Sequence, residues 1–167
     1  APGRAPLIER VVKESLRVLP PVVFVIRRST RATSLAGYPI PEGTVVVLSQ
    51  YVTHHMADVF PDPERFDPDR WLAHEPSSYA WLPFGAGPRM CPGAMFAMEF
   101  LERAVEAILR RFRLEFAPGA RVDRHSTLTL GVKGTLPVTL RSRDGHVAAV
   151  PLTGDIHEMV HLPTAQS

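Results

Sequence analysis

The sequence predicts a mainly α chain with small β-sheets. Two segments repeat apolar residues at helical spacing. Several short, β-branched runs are punctuated by proline and glycine, and a proline-studded stretch between them suits the interior of neither element.

The first helix is predicted over Pro6 to Val18. Pro6 is placed to open it, Leu7, Ile8, Val11, Val12 and Leu16 recur on one side, and Pro20-Pro21 stops it. Val22 to Ile26 and Thr44 to Leu48, the latter following the Pro41-Glu42-Gly43 turn, read as buried strands of a small sheet. From Phe60 to Trp71 the prolines Pro61, Pro63 and Pro68 stand among charges, which predicts an ordered meander.

The longest periodic segment is Ala94 to Arg113. Ala97, Leu101, Ala104, Val105, Ile108 and Phe112 form a stripe, and Glu99 with Arg103 and Glu106 with Arg110 pair at i,i+4 on the other side. Met95, Phe96 and Phe100 fall outside the stripe, so the first turns of this helix are expected to be buried nearly all round. Thr127 to Leu130 and Leu136 to Leu140 flank a glycine-bounded turn and read as a terminal hairpin. Beyond Arg143 no pattern is legible, which divides the chain into 1–143 and a tail, 144–167.

A length of 167 residues with 45% hydrophobic and 22% charged positions suits one ordinary globular domain. The net charge is +2 and the basic residues are scattered, so no nucleic-acid partner is expected. No apolar run reaches the roughly 18 residues needed to cross a bilayer, and the first residues show no signal-peptide core, which gives an expected cytoplasmic location. The histidines lack a zinc spacing; His54 and His55 are adjacent and read as structural or solvated.

The single cysteine, Cys91, cannot form an intrachain disulfide; it is an inert core thiol, a reactive thiol or a metal ligand. It lies after a glycine-rich loop and just before the long helix. Unpaired N–H groups and the positive dipole end at a helix N-terminus stabilise a thiolate, which could bind iron or attack an electrophile.

The segment Phe84 to Gly93 carries F-x-x-G-x-R-x-C-x-G at every fixed position. In this it resembles the haem loop of the cytochrome P450 family. The resemblance extends from about Leu7 to about Leu140 in the family's order: motif helix, strands, meander, cysteine loop, long helix, hairpin. It implies the C-terminal, haem-ligating part of the cytochrome P450 fold. Complete members are longer and carry, upstream, a distal helix that handles dioxygen and protons.

The resemblance implies that Cys91 is the axial thiolate of haem b, that Phe84 packs near it, that Gly87 and Gly93 permit the tight loop, and that Arg89 reaches a haem propionate. A thiolate ligand favours O–O cleavage, which is why this chemistry uses cysteine. Arg27 is implied at the other propionate; strand alternation sends Arg27 and Arg28 to opposite faces. Glu14-Ser15-Leu16-Arg17 matches the family's E-x-x-R motif, whose third member is an arginine of the meander. Pro63-Glu64-Arg65-Phe66 is the literal match for that member, but Arg70 in Pro68-Asp69-Arg70-Trp71 holds the family position and is assigned, leaving Arg65 as a solvated charge. Val22, Val23 and Phe24, with Leu130 to Val132, fall where the family contacts substrate.

The implied activity is insertion of one atom of dioxygen into a small apolar organic substrate, with electrons from NAD(P)H through a reductase or ferredoxin. The alternative is a non-catalytic chain that retains haem affinity at most.

Overall fold

The computed structural model describes residues 5–127, 129–144 and 150–163. Helix α1 spans Leu7–Val18. Strands follow at Val25–Arg28 (β1), Thr33–Leu35 (β2), Tyr38–Ile40 (β3) and Val45–Leu48 (β4), then a short helix α2, Gln50–His54. The meander closes on a 3₁₀ turn at Pro68–Leu72, and a second such turn, Gly87–Arg89, lies inside the cysteine loop. Helix α3 covers Ala94–Arg111, followed by β5 (Phe112–Phe116), β6 (Arg124–Ser126), β7 (Leu130–Val132), β8 (Val138–Ser142) and a 3₁₀ turn at Asp155–Glu158.

The strands form four separate two-stranded antiparallel ribbons: β1 with β4, β2 with β3, β5 with β8, and β6 with β7. In the first, Arg27 is opposite Val46.

Four sequence expectations are corrected. The terminal hairpin does not form as read: β8 pairs with β5, beyond the long helix, and β7 pairs with β6. Leu128, inside the expected first arm, lies outside the described residues. The long helix, expected to run to Arg113, stops at Arg111, because ladder bonding to β8 draws Phe112 and Arg113 into a strand. The β1–β4 ribbon is not buried; Val45, Val47 and Leu48 are largely exposed, because no second layer among the described residues covers it. The first turns of α3 are likewise open, with Met95 88% and Phe96 76% exposed.

The core sits at the C-terminal end of α1. Val12, Leu16 and Val18 are buried there, and Phe60 is wholly buried. The Phe60 ring meets His54 and His74 edge-on and lies beneath the Arg17 guanidinium, 5.3 Å from its centroid. Helix α2 starts because the Ser49 hydroxyl accepts from the Val52 N–H, a side-chain cap on a backbone donor that has no helical partner.

Although the tail carries no legible pattern, residues 150–163 pack against the body. Val160 and Met159 are buried, the Phe66 N–H donates to the His161 carbonyl (3.1 Å), and the His161 N–H donates to the Glu64 carbonyl (2.7 Å). The turn into this strap requires glycine: Gly154 has φ +108°, and a Cβ there would fall 2.3 Å from the Val122 carbonyl oxygen. Residues 145–149 and 164–167 of the tail lie outside the described residues.

Candidate haem site

Two constellations meet beside the core. The first is a closed ion network. Glu14 and Arg17 are 0% exposed. All five guanidinium N–H donors of Arg17 are used: two on the Glu14 carboxylate (2.9 and 2.8 Å) and three on the carbonyls of His54, Pro63 and Arg65.

Glu14 also accepts from the Asp67 N–H (2.9 Å), the Arg70 Nε–H (3.1 Å) and the Trp71 indole N–H (3.0 Å). Burial alone would raise its carboxyl pKa, but the Arg17 bond, the Asp67 N–H and the charges of Arg17 and Arg70 outweigh it and hold the group below its ordinary value. Arg70 places three more donors on the carbonyls of Pro61, Asp62 and Arg65. Glu14, Arg17 and Arg70 therefore meet at one point. The Arg65 side chain has no bond in this network; its backbone carbonyl is what Arg17 and Arg70 hold, and the residue is exposed.

Sequence reasoning left two members out. Trp71 follows Arg70 directly, and its N–H could have been counted among the donors to Glu14. His54 is the other, and it is fully buried. Its Nε2 accepts from the Leu82 N–H (2.7 Å), so its Nδ1 carries the proton and donates to the Arg17 carbonyl (3.1 Å). Burial pushes its pKa down to about 4, which keeps the ring neutral. One imidazole thus joins α1 to the segment entering the cysteine loop.

The second constellation is that loop. The Cys91 N–H donates to the Phe84 carbonyl (2.9 Å), closing the loop, and Gly87 turns inside it with φ +69°. Gly93 forms the N-cap of α3, where a Cβ would touch the Cys91 sulfur at 3.9 Å. Cys91 is exposed, not a core thiol.

A cavity of about 290 Å³ brings together Cys91, Phe84, Arg89, Arg27, Val22 and Gln50. Val23 and Phe24 are half-buried and outside its wall; the Val23 carbonyl accepts from the Ser49 hydroxyl and the Tyr51 N–H. Leu130 donates its N–H to the Pro21 carbonyl (2.7 Å), but Leu130 and Val132 line a second cavity of about 210 Å³, walled on its far side by Ile156 and Met159.

Among the described residues no group of three or more His, Cys, Asp or Glu is placed to chelate a metal ion. The cavity offers instead one sulfur, two guanidinium groups and apolar walls. This donor set fits an iron porphyrin, an apolar ring bearing a soft-ligand metal and two carboxylates.

A family model described as "Cytochrome P450" matches residues 3–140. The chain belongs to the cytochrome P450 family. Its fold is the corresponding part of the P450 fold: it superposes on retinoic-acid-bound cyanobacterial CYP120A1 with a TM-score of 0.72 and 33% identity, over 82% of this chain and 32% of that one. For the haem domain of cytochrome P450DA the values are 0.75 and 27%, over 84% and 31%.

Among P450 sequences, a putative cytochrome P450 135B1 of Mycobacterium tuberculosis is 46% identical over 107 residues, covering 64% of this chain and 23% of the relative. Cyclooctat-9-en-7-ol 5-monooxygenase of Streptomyces melanosporofaciens is 40% identical over 129 residues, covering 70% and 28%. The chain thus covers between 23% and 32% of the length of these P450 relatives. No helix among its described residues is long and apolar enough to cross a membrane.

Proposed function

We propose that this chain is the haem-ligating part of a haem-thiolate monooxygenase, with residues 1–143 as the P450 portion and 144–167 as an appended tail. The observation that carries this reading is the meeting of Cys91, Arg27 and Arg89 in one apolar cavity. With haem b bound there, the iron supplies activation of dioxygen and insertion of one oxygen atom into a small apolar substrate, using electrons from NAD(P)H delivered by a reductase or ferredoxin.

The chain's own residues do the holding. Cys91 provides the thiolate, and the Cys91–Phe84 backbone bond fixes the loop that presents it. Pro92 has no N–H, so backbone donors to sulfur come from Gly93 onward. Arg89 and Arg27 bind the two propionates, for which a guanidinium fork is matched in charge and shape. Val22, which lines the cavity, contacts substrate together with Val23, Phe24, Leu130 and Val132, and Leu130 is tied to the Pro21 carbonyl by its N–H. Glu14, Arg17 and Arg70 keep the floor rigid. The electron donor docks at the exposed cysteine loop.

Cys91→Ala in the complete protein is expected to abolish the thiolate-type absorption band of the reduced carbon monoxide complex. An unchanged band would remove Cys91 as the ligand.

A further inference from the structure

Gln50 opens α2 directly after the capping Ser49 and is only 3% exposed. Its Oε1 is buried without a hydrogen-bond partner, although the residue lines the same cavity as Cys91, Arg27 and Arg89. A buried carboxamide left unmatched costs stability, and a leucine would fill a similar volume without that cost. Its neighbours along α2 are bonded: Ser49 caps the helix and also donates to the Val23 carbonyl, and His54 is bonded at both nitrogens; the other unmatched buried atoms, on His55, His74 and Trp81, belong to residues that do not line this cavity.

An apolar substrate offers nothing for this amide to bond. The haem edge does, because its carboxylates are strong acceptors. A half-turn about the last side-chain bond exchanges the amide's two ends, so the group can present N–H donors to the cavity. The two arginines supply charge to the same wall; an amide adds a neutral donor of fixed reach. We propose that Gln50 is a cofactor-binding residue whose carboxamide hydrogen-bonds a haem propionate alongside Arg27 and Arg89, an inference that rests on the haem reading above.

The test uses the complete, haem-loaded protein and two variants, Gln50→Leu and Gln50→Glu. Haem loss is followed by transfer to excess apomyoglobin, and the thermal midpoint of each apoprotein is measured in parallel. Gln50→Leu is expected to lose haem roughly tenfold faster, the worth of one hydrogen bond to a charged group, while its apoprotein melts no lower than wild type. Gln50→Glu is expected to lose haem faster still, and to recover as pH falls and the new carboxylate is neutralised. Haem loss from Gln50→Leu within about twofold of wild type, or an apoprotein midpoint that falls with it, overturns the proposal and leaves Gln50 an ordinary packing residue. A wild-type protein that takes up no haem overturns the haem reading and this inference together, whereas normal haem uptake with unchanged retention in Gln50→Leu overturns this inference alone.

Discussion

The network beneath α1 and the wall around Cys91 are neighbours built on opposite terms. At Glu14 and Arg17 every donor and acceptor is matched inside the chain and no surface reaches water. Around Cys91 the sulfur is exposed, Gln50 has an unmatched oxygen, and the nearby turns of α3 show Met95 and Phe96 to solvent. One region spends its chemistry on itself, and the other keeps its chemistry available. The difference teaches that rigidity here is concentrated in a polar cluster, while the surfaces meant for other atoms are left open around it.

Breaking the closed region is expected to have the largest effect. Arg17→Leu leaves the Glu14 carboxylate buried without its principal partner and strips the His54 and Pro63 carbonyls of their Arg17 donors. The expected loss is about 3 to 5 kcal/mol of unfolding free energy, read by urea denaturation of the complete protein. A loss below about 1 kcal/mol would mean that the network is not closed.

Next comes the link between the regions. His54 titrates at about 4 in the folded chain against 6.5 for the free group, so the unfolded chain binds a proton that the fold refuses. Its contribution is complete above pH 6.5 and is lost as pH falls toward 4, on the order of 3 kcal/mol across that window. Urea titrations from pH 7 to 4 should show this decline in wild type and a flatter one in His54→Phe. Equal slopes would place the imidazole outside the linkage.

The open region should respond least. Met95→Gln in this 167-residue chain is expected to change stability by less than about 0.5 kcal/mol, since the side chain has little packing to lose. A loss several times larger in denaturant melts would show that α3 is covered after all.

What the sequence made legible was local. Glu14 and Arg17 are one helical turn apart, the cysteine loop is contiguous, and the period of α3 is long enough to read through. Arg70 could be preferred to Arg65 only through family position, and the geometry shows what the literal motif hid: Arg65 serves through its carbonyl, a group every residue carries. The misses were non-local. The pairing of β5 with β8 joins strands on either side of β6 and β7, so no neighbouring residue announces it. His54 is ordinary in sequence and becomes central only when the Arg17 carbonyl and the Leu82 N–H arrive from two other segments. Residues 150–163 carry no period because their partners lie in two other segments, Ala120 to Arg124 and the meander.

That last arrangement sets an order of events during synthesis. The stretch Glu64 to Phe66, whose Arg65 carbonyl receives both network arginines, is bonded on its outer edge to His161. A ribosome delivers Glu14, Arg17 and Arg70 long before it delivers His161. The layer around the innermost charges can therefore close only once this later-made strand has joined it.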